Sequence, residues 1–254
     1  PRFHRRSTKR SAAVIRGLIA RLCEMRAAEI RAGTAPDDLA TKIMTTADPE
    51  TGDRFDTAEM IDQVAIFFLA GHETSASALA WSLYLLATHP EWQDKVAVEA
   101  QGLTPEFSTV SNLKITRDVF REALRLYPPA GILSRTAQGP DRLCEREILK
   151  GDTVMIPIYA LHRNQLLWEE ADAFRPERFL APQKPERYAY LPFGDGPRIC
   201  IGASFALQEA VIILATLLAR FRFRPVRGRD PKPVMILTLR AEGGVWLTAE
   251  PISD

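Results

Sequence analysis

The chain has 254 residues, a formal net charge of +1, 46% hydrophobic residues and 26% charged residues. That suffices for one large domain or two small ones, and it excludes a disordered chain and a dedicated nucleic-acid binder. Three scattered cysteines, Cys23, Cys144 and Cys200, cannot form a disulfide framework and fit a reducing compartment; no apolar run is long enough to span a bilayer, and no signal peptide is read.

Arg2, Arg5, Arg6, Lys9 and Arg10 make a locally basic start, read as a solvated surface. From Ser7 to about Ala32 the spacing predicts an amphipathic helix, with Val14, Ile15, Leu18, Ile19 and Leu22 on one stripe and Gly33 as its stop. Asp48-Pro49-Glu50-Thr51-Gly52 is turn chemistry. Asp56 with Glu59 makes a capping box, which starts a helix from Thr57 to about Thr88, of roughly 32 residues and about 48 Å. His89-Pro90 ends it. A shorter helix follows over Glu91 to about Gly102, and Thr116 is expected to cap another that runs to Leu126 before Tyr127-Pro128-Pro129.

Beyond Pro128 the texture changes, because half of the 18 prolines lie between Pro128 and Pro197 among short strand-like runs such as Thr153 to Ile156. Ile201 to Arg220 reads as a helix with Phe205, Ile213, Leu214, Leu217 and Leu218 available for burial. Strand-like runs at Val234 to Leu239 and Val245 to Leu247 close the sequence, and no internal repeat is present.

Three constellations carry chemistry. Phe193-Gly194-Asp195-Gly196-Pro197-Arg198-Ile199-Cys200-Ile201-Gly202 sets one cysteine in a glycine-rich loop before a long apolar helix. Helix amino termini carry unpaired N–H groups and partial positive charge, so that placement suits a thiolate able to accept backbone hydrogen bonds. Gly196 and Gly202 allow backbone conformations and close approach that a side chain would forbid, and Arg198 adds a fixed positive charge.

The second constellation, Ala70-Gly71-His72-Glu73-Thr74-Ser75, puts a glycine and polar residues in mid-helix beside Phe67, Phe68 and Leu69. Glycine costs about 0.5–1 kcal/mol there. The Thr74 hydroxyl is placed to bond back to the Ala70 carbonyl and open the helix locally, while Gly71 leaves room for a flat ligand. A zinc-protease reading of His72-Glu73 fails because Ala76 stands where the second His is needed, and Gly194 with Gly196 fails as a dinucleotide fingerprint at Ile199. Third, Glu122 and Arg125 lie three apart on one helix face, where opposite charges pair.

Read as F-x-x-G-x-R-x-C-x-G, the loop resembles the haem-binding loop of the cytochrome P-450 family. Those five fixed letters arise by chance on the order of once in ten thousand chains of this length. Ala70 to Ser75 is similar to that family's oxygen-binding helix motif, Glu122-Ala123-Leu124-Arg125 to its E-x-x-R motif, and Phe174-Arg175-Pro176-Glu177-Arg178-Phe179 to a later arginine-bearing segment. Leu161-His162-Arg163-Asn164 with Trp168 matches the spacing ahead of that segment.

The resemblance implies a mainly α fold with small β-sheets, and Cys200 as the axial ligand of the iron of haem b. Phe193, Gly194, Gly196, Gly202, Ala70 and Gly71 would lie around the cofactor, with Arg198 and Arg135 on its propionates. Thr74 would hydrogen-bond the oxygen being activated, and Glu73 would belong to the proton route. Glu122, Arg125 and Arg178 would form a structural ion network. Phe67, Ala130, Ile132, Leu133, Leu237 and Thr238 are implied as substrate-pocket positions, mostly apolar. The implied reaction is monooxygenation of an apolar organic substrate by dioxygen, with electrons from NAD(P)H through a ferredoxin- or flavoprotein-type donor; by charge, Arg198 and the basic residues around Arg220 and Arg222 are read as a docking face for an acidic redox protein. A haem-thiolate peroxygenase or isomerase, or an inactive truncated haem-binding chain, would carry the same loop; the Glu73-Thr74 pair favours oxygen activation.

Family members carry further sequence ahead of the long helix, including a W-x-x-x-R that none of Trp81, Trp92, Trp168 or Trp246 supplies. Residues 1–254 are therefore expected to be the carboxyl-terminal portion of one catalytic domain, soluble and cytoplasmic in a bacterial-type protein, with no membrane segment in this portion; an amino-terminal anchor in the missing portion is the alternative, and would make the protein membrane-bound.

Overall fold

In the computed structural model, which describes residues 2–104, 106–180 and 185–252 with side chains from residue 7 onward, the chain forms two units, one ending at His72 and one beginning at Glu73. The side chains of Arg2, Arg5 and Arg6, read as part of the basic start, lie outside the described residues.

The first unit begins with α1 (Arg2–Ala32), which starts earlier than expected and ends at Gly33 with φ +72°. There the N–H of Gly33 bonds Ile30 O at 3.2 Å and that of Thr34 bonds Glu29 O at 3.0 Å, satisfying carbonyls of the last turn. Of the apolar stripe only Ile19 is buried; Val14, Ile15, Leu18 and Leu22 are exposed. Asp38 caps α2 (Leu39–Thr45) by accepting from Thr41 N at 2.9 Å and ties it to α1 through Arg26 at 2.6 Å. The Arg26 guanidinium, then the Thr41 N–H, hold the Asp38 carboxyl down at about 2. At the expected turn Asp48 Oδ1 accepts from the N–H groups of Glu50 and Thr51.

The capping box is formed as read: Asp56 N donates to Glu59 Oε2 at 3.0 Å and Glu59 N to Asp56 Oδ1 at 2.8 Å. It starts α3 (Thr57–Thr88), unbroken through residues 70–75, so the local opening expected at Thr74 does not interrupt the helix. α3 supplies residues to both units.

In the second unit, Pro90 opens α4 (Pro90–Ala100) at the position where proline's missing N–H costs nothing. A 3-10 turn (Phe107–Asn112) leads to α5 (Lys114–Leu126). Thr116 does not cap α5. The Glu99 carboxylate, reaching from α4, accepts from Ile115 N, Thr116 N and the Thr116 hydroxyl at 2.7–2.8 Å and takes the orphan donors of the first turn. Then come β1 (Leu133–Thr136), β2 (Asp141–Leu143), β3 (Arg146–Ile148), β4 (Thr153–Ile156), the single turn α6 (Ile158–Leu161) and α7 (Ala203–Leu218). The chain closes with β5 (Phe221–Pro225), β6 (Pro233–Met235), β7 (Leu239–Ala241) and β8 (Leu247–Pro251). Among the described residues these strands form antiparallel pairs only: β1 with β4, β2 with β3, β5 with β8 and β6 with β7. The fold is mainly helical with small sheets.

The run Val234 to Leu239 is two strands of a hairpin rather than one strand, and the last strand begins at Leu247, where the reading of Val245 to Leu247 ends. The core joins the second half of α3 to α4, α5 and α7 through Leu86, Val96, Val119, Phe120, Leu124, Leu214 and Leu218. Each such burial contributes about 1.5–3 kcal/mol. Trp81, fully buried, stacks on Tyr127 with centroids 3.8 Å apart, so the break after α5 is fixed against α3. Gln93 joins α4 to β5 by accepting from Phe223 N at 2.6 Å and donating to Phe223 O at 3.1 Å.

Candidate functional site

Two glycines shape the cysteine loop. Gly194 and Gly196 have φ of +72° and +74°, where an L side chain costs roughly 1–2 kcal/mol. A Cβ at Gly194 would also meet Leu133 Cδ1 at 3.4 Å. Cys200 N donates to Phe193 O at 2.9 Å and closes the loop, and Phe193 packs against the core. Gly202 has an ordinary φ of −87°, so its conformation does not require glycine, and a Cβ there would lie 3.9 Å from Cys200 Sγ.

Cys200 is exposed and stands one turn ahead of α7, which begins at Ala203. No backbone N–H among the described residues bonds its sulfur, contrary to expectation, because the first N–H groups of the helix turn back to carbonyls, Ala203 N to Cys200 O and Ala206 N to Gly202 O. Ile199 and Ile201, which flank Cys200 in sequence, are exposed, and so is Phe205 in the first turn of α7, which was read as available for burial.

Strand β1 lies beside the loop. Its half-buried positions are Leu133, which faces Gly194, and Arg135, whose Nη2 reaches Asp195 O at 3.4 Å. Arg198, in the 3-10 turn Gly196–Arg198, is exposed, and neither arginine has a carboxylate partner among the described residues. Nor do the described residues contain a group of three or more His, Cys, Asp or Glu able to hold a metal ion. A single soft sulfur, apolar side chains and two uncompensated guanidinium groups are a donor set that fits haem: sulfur for iron, apolar surface for the macrocycle and guanidinium for propionate.

Ala130, half-buried, and Ile132, exposed, lead into β1, and Gly131 between them is required by space, since a Cβ would lie 2.0 Å from Met235 Cε of β6. The β6–β7 hairpin is further held by Leu239 N to Pro129 O at 2.8 Å. Its tip exposes Leu237 by 83% while Thr238 is buried, with its hydroxyl donated to Glu73 Oε1 at 2.5 Å. One turn beyond Glu73, Ser77 Oγ donates to Leu239 O at 2.6 Å. Glu73 and Thr74 are half-buried. Phe67, Ala70 and Gly71 lie on the part of α3 that belongs to the first unit, Phe67 half-buried and Ala70 and Gly71 exposed.

The ion network is complete. Glu122 and Arg125 are fully buried, with Arg125 Nε on Glu122 Oε2 and Nη2 on Oε1, both at 2.8 Å. Arg178 Nε stands 3.3 Å from Glu122 Oε1, which also accepts from Arg175 N at 2.9 Å. The remaining Arg125 donors reach the carbonyls of His162, Ala171 and Ala173 at 2.6–3.0 Å, and the Trp168 ring lies 5.0 Å away. Burial works against the charge of Arg178, and the Glu122 carboxylate supports it.

The sequence reading assigned no role to His162 or Ser77. His162 is fully buried; its Nε2 accepts from Leu191 N at 2.9 Å, so the proton sits on Nδ1, which donates to Arg125 O at 3.2 Å. The imidazole thereby ties α5 to the stretch that leads into the cysteine loop. Of the arginines read as a docking face, Arg222 pairs with Asp94, so its charge is compensated.

With the geometry in place, the comparisons with known proteins are specific. The family model "Cytochrome P450" matches residues 1–252. A cytokinin hydroxylase of Arabidopsis thaliana is 36% identical over 87% of this chain and 44% of its own length. A cyclooctat-9-en-7-ol 5-monooxygenase of Streptomyces melanosporofaciens is 39% identical over 78% of this chain and 44% of its own. A bifunctional cytochrome P-450/NADPH–P-450 reductase 2 of Bacillus subtilis is 39% identical over 81% of this chain and 20% of its own. The chain thus spans less than half the length of these relatives. A match along nearly all of its residues, together with the loop, helix and ion-network geometry, makes this chain a member of the cytochrome P-450 family.

Proposed function

We propose that the protein to which this chain belongs is a haem-thiolate monooxygenase that inserts one atom of dioxygen into an apolar organic substrate and reduces the other to water. The observation that carries the reading is the exposed Cys200 on a loop shaped by Gly194 and Gly196, a loop that also carries Arg198 and is touched by Arg135, two arginines with no carboxylate partners among the described residues. The chain is the carboxyl-terminal portion of the catalytic domain. Haem b, bound through sulfur, supplies the electron transfer and the dioxygen activation.

Cys200 would hold the iron through its sulfur, a strongly electron-donating ligand suited to dioxygen activation. Arg135 and Arg198 would hold the propionates, and Phe193, Gly194, Gly196 and Gly202 belong to the loop that would present the sulfur. Thr74 would offer a hydroxyl to dioxygen at that site, and the Glu73 carboxylate would pass protons. Ala130, Ile132, Leu133 and Leu237 offer apolar surface to a substrate. The glycine loop and the E-x-x-R network support a shared scaffold, while the names of the relatives support hydroxylation. A ferredoxin- or flavoprotein-type donor passes electrons from NAD(P)H; the Bacillus relative, whose name joins a cytochrome P-450 to its NADPH-dependent reductase, supports that source. Cys23, Cys144 and Cys200 are free thiols, which supports a reducing, cytoplasmic compartment, and no helix among the described residues is long and apolar enough to cross a membrane.

Isotope labelling separates this reading from a peroxygenase. Given an apolar substrate panel that includes cyclooctat-9-en-7-ol, the whole protein with an electron donor places label from ¹⁸O₂ in the product, and Thr74→Ala diverts the same electrons to hydrogen peroxide. Turnover from hydrogen peroxide alone, with no product label from ¹⁸O₂, would overturn it.

A further inference from the structure

A carboxylate on one helical turn and a hydroxyl far along the chain share a short, charge-assisted hydrogen bond: Thr238 Oγ1 to Glu73 Oε1, 2.5 Å. Thr238 sits at the tip of the β6–β7 hairpin, and the hairpin does not need that bond for its place. Ser77 Oγ already joins α3 to Leu239 O at 2.6 Å, Leu239 N reaches Pro129 O at 2.8 Å, and Met235 fills the space over Gly131. What the Thr238 hydroxyl adds is specific to the carboxylate. A helical glutamate has several rotamers within reach, and one fixed donor on Oε1 selects among them.

We propose that Thr238 is the positioning residue for Glu73: its hydroxyl holds the carboxylate in the orientation from which Glu73 moves protons, and it ties that orientation to the hairpin tip. This rests on the proton-route reading of Glu73 above. It also changes the role expected for Thr238 itself, which is buried and engaged by Glu73, while the neighbouring Ile236 and Leu237 are the exposed apolar residues of the tip. A substrate pressing on Ile236 or Leu237 therefore acts on the segment that orients the carboxylate.

The test uses the whole haem-loaded protein with Thr238→Val, which keeps the shape and removes the hydroxyl, Thr238→Ser, which restores the hydroxyl, Glu73→Gln and the Thr238→Val/Glu73→Gln double variant. Two quantities are read: the partition of electrons between product and peroxide, and the infrared carboxylate band of ¹³C-glutamate-labelled protein, with Glu73 isolated by subtraction of Glu73→Gln. Thr238→Val is expected to shift the Glu73 band and raise the peroxide share several-fold, Thr238→Ser to preserve both, and Thr238→Val to add nothing in the Glu73→Gln background. An unshifted band and unchanged partition in Thr238→Val, with Glu73→Gln still diverting electrons, would overturn the positioning role alone. Additive effects in the double variant would overturn it as well, because Thr238 would then act elsewhere. An unchanged partition in Glu73→Gln would overturn the proton-route reading and the inference with it.

Discussion

Glu122→Ala is expected to lower the stability of the whole protein by about 3–5 kcal/mol, because it leaves the fully buried Arg125 guanidinium without its carboxylate. The intact pair is no measure of net stabilisation, since desolvation offsets most of its attraction; the cost comes from removing one partner only. Three carbonyls would still accept from Arg125, yet carbonyls carry no compensating charge, and Arg178 would face Arg125 with nothing between them. The same carboxylate accepts the Arg175 N–H at 2.9 Å, so the turn holding Arg178 loosens too. Denaturant midpoints and haem retention check the expectation; a loss under about 1 kcal/mol, the range of exposed ion pairs, would contradict it.

Acid is the second strong lever. Burial, set against the hydrogen bond to Arg125 O, pushes His162 down to about 4 from its ordinary 6.5. Between those values the unfolded chain binds a proton that the folded chain refuses, so stability is full above about pH 6.5 and falls as pH drops towards 4. The loss approaches roughly 3 kcal/mol at the acid end. Protonated Nε2 would also turn a donor against the Leu191 N–H, loosening the approach to the cysteine loop. Urea midpoints measured from pH 7 to pH 4 should fall more steeply for the native protein than for His162→Gln, and equal slopes would contradict the assignment.

How much was legible in the residues depended on where each partner lay. The bounds of α3 were readable because its start, Asp56 with Glu59, and its stop, His89-Pro90, are local signals. The Glu122–Arg125 pair was readable for the same reason, but not the His162, Ala171 and Ala173 carbonyls that complete it, which come from a turn-rich segment without helical or strand periodicity. Thr116 looked like a cap; the donors were taken by Glu99 from another helix. The stretch Ile236-Leu237-Thr238 holds no glycine, proline or asparagine and so read as strand, whereas the bonds of Thr238 and Leu239 to Glu73, Ser77 and Pro129 hold it as a hairpin tip. At the candidate site, the loop letters named Cys200, Gly194 and Gly196 correctly as a loop, but the attachment of β1 to that loop through Leu133 and Arg135 is tertiary and left no local trace.

Cys200 as the thiolate ligand of a haem iron can be read from the absorption spectrum of the whole protein, reduced and bound to carbon monoxide, with Cys200→Ser measured beside it. A strongly red-shifted Soret band is expected in the native protein and not in the variant. The same band in both, or none in a haem-replete native protein, would contradict it.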